Sequence, residues 1–141
     1  DDAPRPFPGE RIRPHLQVPR FASSDPHGKP FRLEEARGRV VLLTGVYATC
    51  PTGACAGILR ETRALLDELP PEARGHLTVA ALSLNPEHDT PEVRNQIADA
   101  YGFAYPEFRY LNGEAAAMRD AATRLFADKC YASASSAELA R

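Results

Sequence analysis

Val46-Tyr47-Ala48-Thr49-Cys50-Pro51-Thr52-Gly53-Ala54-Cys55 decides the fold, because an apolar run ends in this stretch and an amphipathic run starts directly after it. Two thiols at a strand-to-helix turn point to redox or soft-metal chemistry. The helix that follows leaves its first backbone N–H groups unpaired and turns the positive end of its dipole toward the loop, which favours thiolate over thiol. A thiolate is the nucleophile of disulfide exchange and also the form that binds Cu(I), zinc or an iron–sulfur centre, so the pair alone leaves the metal open. A structural disulfide is the alternative reading, although a bridge across so short a loop constrains the unfolded chain only modestly.

Spacing adds a constraint. Residues five apart in a regular helix stand about 8 to 9 Å apart between Cα atoms, beyond disulfide range, so the turn must stay non-helical if the sulfurs are to meet. Gly53 permits backbone angles closed to other residues, and Pro51 restricts Cys50 to extended geometry. Cys50 is expected to be the more exposed thiol.

Working outward, Val40 to Tyr47 is nearly all apolar and reads as a central parallel strand covered on both faces. Ile58, Leu59, Thr62, Leu65, Leu66 and Leu69 recur at helical spacing until Pro70-Pro71 stops the pattern. Leu77 to Leu84 reads as a second buried strand and runs into Asn85-Pro86-Glu87-His88-Asp89-Thr90-Pro91. Thr90 is a good N-cap with Pro91 at the first helical position, and the helix it starts carries Val93, Ile97 and Tyr101 inward and closes at Gly102. Phe108 to Leu111 makes a short strand, and Ala115, Met118, Ala122, Leu125 and Phe126 mark a third helix. Upstream, Phe21 to Leu33 has the pattern of a hairpin flanking the sheet, with Gly28 in its turn.

Alternating strands and helices predict a parallel α/β sheet with right-handed crossovers. Reactive sites on such sheets gather at the carboxyl ends of the strands, where the two cysteines and the Asn85–Thr90 loop would both lie. Residues 1–18, rich in Pro and Arg, read as a linker or arm, and 19–141 as one domain.

Composition bounds the function. The 141 residues are 43% apolar and 26% charged with a formal net charge of -2, which suits one globular domain and excludes a disordered chain. No basic stripe interleaves with aromatics, so nucleic-acid binding lacks an electrostatic footprint. No apolar stretch approaches the roughly 20 residues that cross a bilayer. The opening Asp1-Asp2-Ala3-Pro4, followed by Pro6, Pro8 and Pro14, reads as the tether left after a cleaved signal or a removed membrane anchor, although a trimmed N-terminus would look the same. Three cysteines are too few for a disulfide scaffold, and the odd one, Cys130, is a free thiol, an intermolecular partner or a ligand.

Five segments together resemble the Sco/SenC family: Asp25-Pro-His-Gly-Lys-Pro-Phe-Arg-Leu, Gly38-Arg-Val-Val-Leu-Leu, Val46-Tyr-Ala-Thr-Cys-Pro, Ser83-Leu-Asn-Pro-Glu-His-Asp-Thr-Pro-Glu and Leu111-Asn-Gly. The Asp-Thr-Pro-Glu element after a strand is the most specific of them. The resemblance spans roughly Phe21 to Phe126 and implies a thioredoxin-like fold, here with an N-terminal hairpin extension. It also implies an extracytoplasmic, periplasmic or membrane-tethered protein that binds copper for assembly of the copper centre of cytochrome c oxidase, or exchanges thiols and disulfides. Its partners would be protein thiols or disulfides, or a copper-acceptor protein.

Two departures from the family qualify that reading. The family usually holds three residues between its cysteines, whereas Pro51, Thr52, Gly53 and Ala54 make four here. The family also supplies a copper-binding histidine from a loop after the third helix, leading into a closing β-hairpin and last helix. No His occurs here beyond His88, and Lys129 to Leu139 is too short for those elements. Either the metal site is lost or the chain lacks part of the original. If the site is altered instead, Cys130 is a candidate third soft ligand, set against its plainer reading as a spare thiol.

The other polar residues have plainer readings. His88 is read as orienting its loop from the surface, His27 as a turn residue, His76 as flanking a strand and His15 as part of the arm. None has metal-ligand spacing to another His. Met118 falls on the apolar face of its helix and reads as core. Asp89, just before an N-cap, could act as acid or base but is read first as serving loop geometry.

Three function classes follow. In the first, Cys50 is the attacking thiolate and Cys55 the resolving partner, and in the reduced state the same two sulfurs are copper ligands. The second is a peroxiredoxin-like thiol peroxidase, in which Cys50 becomes a sulfenic acid captured by Cys55, with Thr49 as a weak activating candidate. The third is a non-catalytic binding module with a structural disulfide.

Overall fold

The computed structural model describes residues 22–112 and Gly9. The expected arm, His15, the third helix with Met118, the closing segment and Cys130 lie outside the described residues.

Strand β1 (Ala22–Ser24) pairs antiparallel with β2 (Pro30–Arg32). The turn between them is set by Asp25, whose Oδ1 accepts the backbone N–H groups of His27 at 3.0 Å and Lys29 at 2.9 Å, while Gly28 takes φ +73°. Arg109 donates to the other carboxylate oxygen of Asp25 at 2.9 Å in a pair that is almost fully buried. The expected N-terminal hairpin forms beside the main sheet. It lies over one face of it, where Phe31 packs on Ala80, Leu82 and Leu111, and touches its edge through a bridge between Ser24 and Asn112.

A short 3₁₀ turn (Leu33–Ala36) leads to β3 (Val40–Val46). Then come α1 (Ala54–Glu68), α2 (Pro71–Gly75), β4 (Leu77–Ser83), α3 (Pro91–Ala100) and β5 (Phe108–Leu111). The three later strands form a parallel sheet in the order β3-β4-β5, with Val46 opposite Ser83 and Leu82 opposite Leu111. All three carboxyl ends therefore reach the same edge. Along β4 the side chains alternate as a strand requires: Leu77, Val79 and Ala81 join Val46, Leu59, Leu66, Phe103, Phe108 and Tyr110 in the core under the helices, and Ala80 and Leu82 meet Phe31 on the other face.

Several expectations are corrected. The strand covered on both faces is β4, buried at every position, whereas β3 is at the edge of the described sheet with Val40 65% and Leu43 48% exposed. Both runs are apolar, and composition does not say which has neighbours on both sides. Leu65, expected on the inner face of α1, is exposed, and the face is carried by Cys55, Leu59, Thr62 and Leu66. In α3 the expected Ile97 and Tyr101 do pack partly buried against the core, Val93 is half-buried, and the fully buried residue is the unforeseen Arg94. Pro70-Pro71 stops α1 but also starts α2, with Pro71 at a first-turn position where the absent N–H costs nothing.

Candidate functional site

The site is built where β3 gives way to α1. The last ladder contact has Leu84 donating its N–H to the Val46 carbonyl at 3.0 Å, after which Tyr47 to Gly53 run free of the sheet. Gly53 stands at the helix start with φ +69°, in the left-handed region where a Cβ is strained, and accepts the first helical bond from Gly57 at 3.1 Å. The turn is thus non-helical from Cys50 to Gly53, and α1 begins only one residue before Cys55.

That geometry puts the two thiols against each other. Both are free, Cys50 half-exposed and Cys55 buried. Hydrogen bonding from the Cys55 thiol and backbone lowers the Cys50 pKa from the ordinary value near 9 to about 7, burial opposes this, and Thr52 adds a smaller lowering. Cys55 moves the other way. Burial pushes its thiol up, and the neighbouring Cys50 sulfur and the Asp89 charge add to the rise, opposed by the backbone N–H of Tyr47. One thiol is poised to ionise near neutral pH while its neighbour keeps its proton. Tyr47, whose hydroxyl is raised by desolvation and then by Cys50, closes one side of the pair.

Beneath the thiols lies Asp89, 1% exposed. Its Oδ1 accepts the backbone N–H of Ala48 at 3.0 Å, and its Oδ2 accepts the hydroxyls of Ser83 at 2.7 Å and Tyr110 at 3.1 Å. One carboxylate therefore joins the cysteine loop, the end of β4 and β5. Burial, followed by the Asp89 charge, pushes the Tyr110 hydroxyl well up, so it stays a donor. Arg94, 2% exposed, donates to the carbonyls of Asp89 at 3.2 Å, Ser24 at 3.3 Å and Tyr110 at 2.7 Å. Above the thiols, Asn85 Nδ2 donates to Thr49 Oγ1 at 3.4 Å and Asn85 Oδ1 meets His88 Nδ1 at 3.1 Å. His88 thus bears on the loop from the surface, and His27 and His76 are exposed away from the pair.

The donor set presented is two soft sulfurs. Among the described residues no group of three His, Cys, Asp or Glu side chains is arranged to hold a metal ion. Among the residues that shape the site, sequence reading passed over Arg94, Tyr110, Ser83 and Thr52. The polar Ser83 at the carboxyl end of the buried β4 was a local signal available. The roles of Arg94 and Tyr110 depend on contacts distant in the chain.

Comparison with known proteins is decided by the SCO1/SenC family model, which matches residues 10–137. The chain belongs to the SCO1/SenC family. A Stutzerimonas stutzeri protein named for a proposed copper-binding role is 33% identical to this SCO1/SenC chain over 86 residues, 61% of this chain and 39% of the relative. The solution structure of apo Sco1 from Thermus thermophilus is 36% identical, with a TM-score of 0.56 over 77% of this chain and 59% of that one. Bradyrhizobium japonicum ScoI, solved with copper bound, shares the thioredoxin-like fold at a TM-score of 0.63 and 23% identity, covering 77% of this chain and 66% of that one. The chain spans under two thirds of the length of each of these relatives.

Proposed function

We propose that this chain is an extracytoplasmic SCO1/SenC protein that carries Cu(I) as cargo and exchanges disulfides in support of the copper centre of cytochrome c oxidase. The observation that carries the reading is the contact between a half-exposed Cys50 of lowered pKa and a buried, protonated Cys55 at the carboxyl edge of the sheet. A copper-bound relative of the same fold and membership of the family support the choice of copper.

In exchange, the Cys50 thiolate attacks one sulfur of a partner disulfide, forming a mixed disulfide and releasing the partner's other sulfur as thiolate. Cys55 then loses its proton and attacks Cys50, so the chain ends as the Cys50–Cys55 disulfide and the partner as a dithiol. The two electrons come from the cysteine pair. In the reduced state both sulfurs are free to hold Cu(I), which soft thiolates prefer over hard cations, and oxidation removes both donors together. Cys130 is the proposed third soft ligand, and the acceptor is a protein with its own copper site. The N-terminal arm is proposed to lead back to a membrane anchor.

The test is a Cu(I) titration of the reduced protein against a competing chelator, beside Cys50→Ser, Cys55→Ser and the double variant. One equivalent is expected in the unsubstituted protein, with the tight site gone in either single variant and in the oxidised form. Equal binding by the double variant ends the copper reading.

A further inference from the structure

We propose that Thr52 is a positioning residue for the thiol pair: its hydroxyl donates to the Cys50 sulfur in the reduced protein and loses that partner when Cys50 bonds to Cys55, which biases the pair toward the reduced state. The inference rests on the reading of Cys50 and Cys55 as an exchange pair.

Thr52 Oγ1 lies 3.8 Å from Cys50 Sγ, within hydrogen-bonding distance for sulfur. The same oxygen accepts the backbone N–H of Ala54 at 3.4 Å. An oxygen that is already accepting keeps its own hydrogen for another partner, and accepting a bond polarises that O–H further. Where Cys50 is a thiolate it has no hydrogen to give, so the order there is Ala54 N–H to Thr52 oxygen, then Thr52 O–H to sulfur. Pro51 holds the residue before Thr52, and the left-handed Gly53 after it turns the chain into α1, leaving the hydroxyl facing back over Cys50.

The sulfur changes as an acceptor when it is oxidised. A thiolate carries a full charge and takes charge-assisted hydrogen bonds, whereas a disulfide sulfur is neutral and accepts weakly. The donor at Thr52 thus stabilises one redox state over the other. Reduction by a small dithiol balances as follows: the Cys50–Cys55 bond breaks, the dithiol gives two electrons and closes to its own disulfide, Cys55 takes one proton and the other goes to water.

The experiment equilibrates the full chain with dithiothreitol and its disulfide at one fixed pH and counts thiols, for the unsubstituted protein, Thr52→Val and Thr52→Ser. Valine keeps the shape without the hydroxyl. We expect Thr52→Val to shift the equilibrium about threefold to tenfold toward the disulfide, about 15 to 30 mV more reducing for a two-electron couple, and Thr52→Ser to retain the original potential. Thermal midpoints of the oxidised and reduced forms distinguish a plain capping role, which would lower both forms alike and leave the potential in place. A Thr52→Val potential equal to that of the unsubstituted protein overturns the proposal, as does Thr52→Ser shifting with Thr52→Val. If the unsubstituted protein does not exchange with the dithiol at all, the exchange reading falls and takes this inference with it.

Discussion

The two cysteines are the same residue type five positions apart, yet their surroundings drive their acidities in opposite directions. Cys50 is held down chiefly by hydrogen bonding from Cys55, with a smaller part from Thr52, whose Oγ1 lies 3.8 Å from its sulfur. Cys55 sits inside the core near the buried Asp89 carboxylate, where a second negative charge is unwelcome. The sign follows for reactivity. A thiol whose pKa falls from near 9 to about 7 is about half thiolate at neutral pH, where an ordinary cysteine is ionised to a few per cent. Alkylation of the reduced protein by iodoacetamide, followed by peptide mass spectrometry, is therefore expected to label Cys50 with a rate midpoint near pH 7 and to label Cys55 slowly at every pH tested. A Cys50 midpoint at 8.5 or above would mean that these donors do not hold the thiolate. The existence of the pair was legible in sequence, because Cys, Pro and Gly at an apolar-to-amphipathic boundary are local signals. Its asymmetry was legible only in outline, since Pro51 forecast the exposure of Cys50 while the burial that chiefly raises Cys55 comes from core packing with residues distant in the chain.

At the scale of elements, the site depends on where α1 begins. Gly53 takes φ +69° at the helix start, and a Cβ built there meets no atom within 4 Å, so a side chain is opposed by backbone strain alone. Gly53→Ala is expected to cost about 1 to 2 kcal/mol in urea unfolding, the usual penalty of the left-handed region for an L-residue. Because the turn would relax by re-aiming the Cys55 N–H, the Cys50 alkylation rate at pH 7 should fall with it. A stability loss under about 0.3 kcal/mol would show that the turn does not need the left-handed angle. The same scale shows which elements a sequence reveals. Thr90 accepts the Val93 N–H at 3.3 Å as an N-cap and Gly102 takes φ +69° beyond the end of α3, because caps are fixed by residues within one turn. The rank of strands is not local. β3 and β4 are both apolar runs of equal length, and only pairing on two sides makes β4 the central one.

Across the whole molecule, the hairpin, the main sheet and the cysteine loop are held in one arrangement by two buried arginines. Arg109 ties the hairpin turn to β5 through Asp25, and Arg94 reaches Ser24 in the hairpin, Tyr110 in β5 and the carbonyl of Asp89, whose carboxylate anchors the loop at Ala48. A cation 2% exposed on the inner face of a helix opposes the simple rule that apolar residues fill that face, so the sequence pattern assigned the position to Val93 and Ile97. Burial lowers the Arg94 pKa, with the nearby Tyr110 and Asp89 opposing; of its three acceptors the Ser24 carbonyl also takes the Asn112 N–H at 3.0 Å, so it is the carbonyls of Asp89 and Tyr110 that depend on the guanidinium. Arg94→Met keeps much of the volume but leaves the Asp89 and Tyr110 carbonyls desolvated, so a loss of about 2 kcal/mol in urea unfolding is expected, at about 1 kcal/mol or more for each orphaned group. Arg94→Lys, with one compact head in place of a planar fork, should recover only part of it. Because the guanidinium also braces the loop that carries Asp89, Arg94→Met should slow Cys50 alkylation at pH 7 under conditions where the variant is still folded, while a substitution of the exposed Arg60 should leave both measurements unchanged. An Arg94→Met protein as stable as the unsubstituted one would show that water serves these carbonyls equally well, and that the hairpin and the thiol site are not joined through this side chain.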